Sequence, residues 1–284
     1  MVRLDAFLRL MRPVNCLMMG FAVVVGAALV GENVFSWDAL VLLFLGFFVG
    51  FFLTGASMVV NDIVDREIDA VNEPERPIPS GAVSLRQAQV FAIFLCVVGF
   101  ALGMATNLES FFVAVVALLV TVIYVVWGKR TGLFGNFLVS GCVVIPFIYG
   151  TFVVGREFGE ASLVCVVIVF LSNTGREVTK GIVDVEGDMQ KNVRTIAVRF
   201  GSWVAAVVAA VFYVSAVVLS VLPWKLALVS FWFVPFVLIC DFGLIVASIL
   251  LVRDFSRENA RRVKNLVLLC LVFGLFAFLA GTVG

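Results

Sequence analysis

Apolar residues run along this chain in long blocks, separated by short clusters of charge, Pro and Gly. With those interruptions as boundaries, nine apolar segments stand out, at 14–31, 38–60, 86–107, 109–127, 133–154, 161–175, 203–222, 226–252 and 263–283. Most reach the roughly 18 residues that a helix needs to cross ~30 Å of hydrocarbon. Inside lipid the backbone must satisfy its own polar groups, and unbroken apolar runs of this length do so as helices. The expected fold class is therefore all-α: a polytopic membrane protein with nine transmembrane helices. Local signals agree, since Pro13 suits the first turn of the first span and Ser84-x-x-Gln87 reads as a capping box opening the third. Residues 14–30 follow Arg3, Arg9 and Arg12 and have the length of a signal peptide, but no clear A-x-A site closes them and many spans follow. They are expected to stay as the first helix.

The basic residues orient this array. Eighteen of the 20 Lys and Arg fall in the N-terminal segment and the even-numbered connections, leaving Arg156 and Lys225 on the other side. By the positive-inside rule the N-terminus is expected in the cytoplasm, together with the long charged connections. The protein is expected in the cell membrane with its active site facing the cytoplasm. A net charge of +1 gives no reason to expect a nucleic-acid partner. With 63% hydrophobic residues, membrane lipid is the expected solvent. The chain has no His, which removes an imidazole base and His metal ligands. Its six Cys lie singly in apolar runs with no C-x-x-C pair, as small core residues do. Any metal is expected to be a hard cation held by oxygen.

Charge, though only 14% of the chain, is concentrated in Asn61–Pro77, which holds six of the 19 acids directly behind the second span. At 100° per residue, Asn61, Asp65 and Asp69 fall at about 0°, 40° and 80°, with Asp62 near 100° and Glu67 near 240°. Four oxygen-bearing side chains thus share a face from which Glu67 points away. The pattern recurs four spans later as a stripe of Lys180, Asp184 and Asp188, with Lys191 near the same line and Glu186 projecting away. The repeat suggests one domain, 1–284, of two pseudo-repeated halves at about 1–130 and 131–284, each giving one acidic helix end. A run of charge is ordinarily a solvated helix end. Carboxylates in helical phase, twice over, instead call for a cation among them, and Mg²⁺ typically binds one or two carboxylates plus phosphate oxygens. Two such clusters would hold Mg²⁺ ions on a diphosphate, with Arg76, Lys129, Lys180 and Lys191 completing the clamp. The same bases also serve as membrane anchors, and Arg253–Lys264 is read only as such.

Asn61-Asp62-x-x-Asp65-x-x-x-Asp69, then Asn72 and Arg76-Pro77, then Asp184-x-x-x-Asp188, resembles the UbiA superfamily of intramembrane prenyltransferases over essentially the whole chain. Leu10–Cys16 and Gly175-Arg176-Glu177 running into Asp184–Asp188 look like its archaeal branch, which makes digeranylgeranylglyceryl phosphate. The resemblance implies a helical bundle around a central cavity with both acidic motifs at its cytoplasmic mouth. It implies transfer of a prenyl group from a polyprenyl diphosphate donor, geranylgeranyl diphosphate in this branch, to a lipophilic acceptor, geranylgeranylglyceryl phosphate. Carried over by position, Asn61, Asp65, Asp69, Asp184 and Asp188 hold Mg²⁺ and diphosphate, Arg76 and Lys129 bind phosphate, and Tyr124 lies near the reacting carbon. Asn15 and Asp62 are further substrate-binding candidates. An aromatic-acceptor prenyltransferase fits the same motifs. A cation-coupled transporter is the alternative from another class, although carrier sites lie near the midplane and both clusters here sit at helix ends. Asp241 alone is deep in a span, as either a functional group or a locally paired one.

Overall fold

Among the residues that the computed structural model describes, 4–30, 36–155, 157–190 and 193–283, every regular element is helical; the side chains of Asp38, Val126, Lys129 and Arg130 are not described. In chain order the helices are α1 (Leu4–Met11), α2 (Pro13–Ala28), α3 (Trp37–Asn72), α4 (Leu85–Met104), α5 (Leu108–Val126), α6 (Leu133–Val153) and α7 (Glu160–Val183). They continue as α8 (Val185–Gln190), α9 (Ile196–Phe200), α10 (Ser202–Leu219), α11 (Leu222–Lys225), α12 (Phe233–Arg253) and α13 (Arg257–Gly281), with a short 3₁₀ turn at Gly128–Thr131 between α5 and α6. Among the described residues eight helices are long and apolar enough to cross a membrane, and α1 with α2, bent by 48°, makes a ninth if the bent pair is counted as one span. The protein is thus an integral membrane protein of the expected class.

The helix ends follow their sequence signals. Ser84 Oγ accepts from Gln87 N while Gln87 Oε1 accepts from Ser84 N, closing the capping box. Ser36, Asn107 and Ser256 cap α3, α5 and α13 in the same way with one bond each. Pro13 opens α2, and the residue before it, Arg12, takes a left-handed conformation (φ 56°, ψ 71°) that breaks the span from α1. A non-glycine residue pays roughly 1–2 kcal/mol for that geometry, so the structure elsewhere must hold it.

Three segments differ from the apolar pattern. The sequence places only a basic N-terminal tail before the first span, whereas α1 is a formed helix. The sixth apolar segment stops at 175, yet α7 runs on to Val183, because buried Asn173, Thr174 and Thr179 find partners on neighbouring helices or one turn back. The eighth apolar segment becomes helical, as α12, only at Phe233 and not at 226, since Leu226–Trp232 forms a turn through Ala227 (φ 54°) and ties Ser230 N to Gly281 O at 2.7 Å.

One buried apolar cluster joins α1 to α4; another joins α7, α9, α10, α12 and α13. Between them α2 packs on α6 so closely that a Cβ at Gly26 would lie 2.0 Å from Phe147 O, and one at Gly150 would lie 2.0 Å from Val23 O. Paired small residues of this kind let membrane helices touch backbone to backbone. All six cysteines are free, and Asp241 receives a 2.6 Å hydrogen bond from Ser220, so its local pairing is observed.

Candidate active site

At 1.5 Å per residue the 36 residues of α3 extend about 54 Å, well beyond a ~30 Å hydrocarbon core. The apolar part ends near Val60, and the same helix carries the first acidic motif onward as rigid structure. Asn61, Asp65, Ile68, Asp69 and Asn72 all face one cleft, whose opposite wall holds Glu177, Lys180 and Gly181 of α7, then Asp184 and Asp188. Tyr124 of α5, Arg76 and Asn136 complete the lining, around about 710 Å³ of empty space that includes the open mouth. Between α7 and α8 the helical bonds continue, Asp184 N to Lys180 O at 3.1 Å and Asp188 N to Asp184 O at 3.0 Å. This keeps Lys180, Asp184 and Asp188 in register although Asp184 itself caps α7.

Asn72 rivets the two walls together. Its amide donates to Asp184 O at 3.3 Å and its Oδ1 accepts from Gly187 N at 3.0 Å, while Arg257 donates to the Asn72 carbonyl at 3.0 Å. A Cβ on Gly187 would stand 2.4 Å from Asn72 Nδ2, so a larger residue there must displace the Asn72 amide. Arg76 folds back over the first motif, with Nη1 2.7 Å from Asp69 and 3.5 Å from Asp62. Asp62, 3% exposed, lies behind the cleft lining and is held by Arg12 at 2.5 Å. That contact also fixes the left-handed turn at Arg12. Asn61 donates to Asp65 at 3.0 Å.

The electrostatics reflect burial among mixed charges. Burial pushes the Asp184 carboxyl above the ordinary carboxylate range, against the pull of Lys180, Lys264 and Arg76. For Arg76, burial alone favours proton loss, yet Asp69, Asp62 and Asp184 hold its guanidinium more firmly charged than usual. Among the described residues no three carboxylates stand close enough to form a ready-made metal cage. A Mg²⁺ ion that takes one or two carboxylates and completes its shell with phosphate and water does not need one. An all-oxygen set of four Asp and one Asn around a single cleft fits that chemistry.

Of the residues singled out by sequence, Asn61, Asp65, Asp69, Arg76, Tyr124, Lys180, Asp184 and Asp188 share the cleft. Asp62 does not line it, and neither does Asn15, which approaches Met58 Sδ at 3.9 Å beside Arg12. The Lys129 side chain and Lys191 lie outside the described residues. Glu67 and Glu186 are exposed and point away, as their helical phase implies; they approach Arg66 at 3.8 Å and Arg257 at 3.3 Å. The basic start of α13, read as a membrane anchor, has a second role. Arg257, Arg261 and Lys264 fall on one face at i, i+4 and i+7, with Arg257 on Asn72 and Glu186 and Arg261 on Glu73 at 2.7 Å. That spacing was the available signal. Glu177 was also missed, although Lys180 stands three residues after it on the same helix face.

Residues 19–282 match the family model described as the UbiA prenyltransferase family. Digeranylgeranylglyceryl phosphate synthase of Thermococcus gammatolerans is 34% identical over 280 residues, covering 98% of each chain. That of Methanopyrus kandleri is 35% identical over 277 residues, covering 97% of this chain and 98% of its own. A solved structure of a digeranylgeranylglyceryl phosphate synthase superposes with a TM-score of 0.72 at 30% identity, covering 100% of this chain and 99% of the other. At the level of fold, a UbiA homologue from Archaeoglobus fulgidus bound to GPP and Mg²⁺ matches with a TM-score of 0.66 at 17% identity, over 96% of this chain and 99% of its own.

Proposed function

Because the chain belongs to the UbiA prenyltransferase family, we propose that it transfers a geranylgeranyl group from its diphosphate to the hydroxyl of geranylgeranylglyceryl phosphate, in archaeal ether-lipid synthesis. The observation that carries this is the cleft itself: two acidic motifs from distant parts of the chain face each other beside one tyrosine. Full-length relatives at 34–35% identity with that activity supply the acceptor. The chain acts as one domain in which each pseudo-repeated half contributes one motif, with the mouth of the cleft toward the cytoplasm.

Asn61, Asp65, Asp69, Asp184 and Asp188 are the residues that would hold Mg²⁺ together with the donor diphosphate. When bound, the metal supplies positive charge where the leaving diphosphate becomes more negative. Arg76, on the lining beside Asp69, orients the same phosphates and stays charged throughout, and Lys180 on the opposite wall is a further substrate-binding base. Ionisation breaks the C1–O bond of the donor and leaves the electron pair on diphosphate. The allylic cation so formed faces the Tyr124 ring, whose π-face stabilises it. The acceptor oxygen then forms the ether bond. Its proton becomes acidic only as that bond forms and passes to the released diphosphate or to an Asp of the cleft, so no His is needed.

The test is prenyl transfer by the purified protein, with radiolabelled prenyl diphosphates of several lengths and a panel of acceptors, with and without Mg²⁺. Label is expected in a phosphorylated diether lipid and only when Mg²⁺ is present. Efficient prenylation of 4-hydroxybenzoate with no reaction of geranylgeranylglyceryl phosphate would assign the aromatic acceptor in its place, and full turnover in excess EDTA would remove the metal.

A further inference from the structure

Glu177 is a lone carboxylate facing three cations. Arg176 Nη1 stands 3.4 Å from one of its oxygens and Lys180 Nζ 3.6 Å from the other. Both exceed the ~2.7–2.9 Å of a well-made charged hydrogen bond. The third cation, Lys264, reaches in from α13 within Coulombic range of Glu177, Asp184, Lys180 and Arg176. It is also the member of the α13 stripe without an ion pair: Arg257 and Arg261 hold Glu186 and Glu73, whereas no carboxylate among the described residues lies within ion-pair distance of Lys264. A further donor is unmet, since Arg176 Nε is buried without an acceptor. Buried donors are left so rarely that an absent ligand is one of the standard explanations.

We propose that Arg176, Lys180 and Lys264 form a second anion site that takes the phosphate of the acceptor, apart from the donor diphosphate at the acidic motifs. The inference rests on the acceptor reading given above and adds where its headgroup sits. Charge supports it. Against three cations the cluster sets one carboxylate of its own, Glu177, since Asp184 is counted among the residues that would hold Mg²⁺, which leaves a surplus of two positive charges beside this wall of the cleft. A phosphate monoester carries about −1.5 to −2 at neutral pH, and a neutral acceptor would leave the surplus unmatched. Position supports it as well, because Lys180 and Glu177 line the same cleft as Asp184 and Tyr124. A headgroup held there keeps its glyceryl hydroxyl within the space where the donor reacts. In the absence of ligand Glu177 is the placeholder that keeps the cations from repelling one another.

The experiment is steady-state kinetics of the full-length protein and of Lys264→Gln, with geranylgeranyl diphosphate as donor and either geranylgeranylglyceryl phosphate or its dephosphorylated form as acceptor. Loss of one charged contact is expected to raise the KM for the phosphorylated acceptor about ten-fold or more and to shrink the preference for it by a similar factor, with donor KM changed less than about two-fold. Lys264→Arg is expected to restore most of the loss. Equal shifts in both KM values, or an unchanged preference, would overturn the site. A wild-type protein that ignores the phosphorylated acceptor sinks the acceptor reading instead, so the two failures are distinct. Should Lys264→Gln not fold, inhibition of the wild-type protein by glycerol phosphate decides: competition with acceptor supports the site, while competition with donor, or no inhibition, overturns it.

Discussion

Replacing Asn72 with Ala should unfasten the two acidic motifs from each other without touching a cation ligand. The side chain is 6% exposed and makes two bonds across the joint, 3.3 Å to the Asp184 carbonyl and 3.0 Å from the Gly187 N–H. Losing the bond to the Asp184 carbonyl costs about 0.5–1.5 kcal/mol, and leaving the Gly187 N–H buried without an acceptor costs about 1–3 kcal/mol. The sum is ~1.5–4.5 kcal/mol against the arrangement that sets Asp184 and Asp188 opposite Asp65 and Asp69. At 1.36 kcal/mol per decade this corresponds to about 10- to 2,000-fold in kcat/KM once the aligned state becomes the minor one. Gly187→Ala attacks the same joint from the other side, because its Cβ meets the Asn72 amide at 2.4 Å. The double variant removes both the bond and the obstruction, so it should be clearly less damaged than the sum of the two single changes. The assay is prenyl transfer at saturating and limiting Mg²⁺, beside thermal unfolding in detergent. Near wild-type kcat/KM for Asn72→Ala, or strict additivity in the cycle, would refute the view that this joint aligns the site.

Arg76→Gln should strand the buried Asp69 carboxylate, which loses its 2.7 Å partner, and lower stability by about 2–3 kcal/mol, less than for a fully buried pair because the Arg76 side chain is 26% exposed; chemical denaturation in micelles measures it, and an unchanged midpoint would show that Asp69 needs no partner. Asp65→Ala and Asp184→Ala should each abolish most transfer while leaving folded protein, and a variant that keeps its rate marks its motif as a solvated helix end. Since burial raises the Asp184 carboxyl, protons compete with Mg²⁺ at a higher pH than for an ordinary Asp. The acid limb of kcat/KM at limiting Mg²⁺ should accordingly begin above the usual carboxylate range and move down as Mg²⁺ is raised; a limb that Mg²⁺ does not move excludes Asp184 as its origin. For stability the sign is opposite: a raised folded-state pKa means burial of ionised Asp184 costs stability at neutral pH, and the cost disappears as pH falls through that pKa.

The sequence by itself determined the spans and the motifs. Crossing a bilayer requires unbroken apolar length, which is a local property, and the period of an α-helix assigned Asn61, Asp65 and Asp69 to one face and Glu67 to another before any packing was known. The same locality explains the correct caps at Ser84 and Pro13. Only the tertiary structure decided which charges meet. Asp62 shares the helical phase of the acidic face closely enough to be read with it, yet Arg12, presented by a left-handed turn 50 residues earlier in the chain, draws it behind the cleft. The role of Asn72 depends on α8, which lies 113 residues further on and is not its neighbour in any periodicity. Lys264 reads as an anchor because membrane-boundary bases and functional bases have the same composition and the same side of the bilayer. What separates them is which charges of other helices they are brought toward, as α13 brings Lys264 toward Asp184, Lys180 and Arg176. That is set by how helices pack, through the close α2–α6 contact and the α7–α13 core, and no window along the chain contains it.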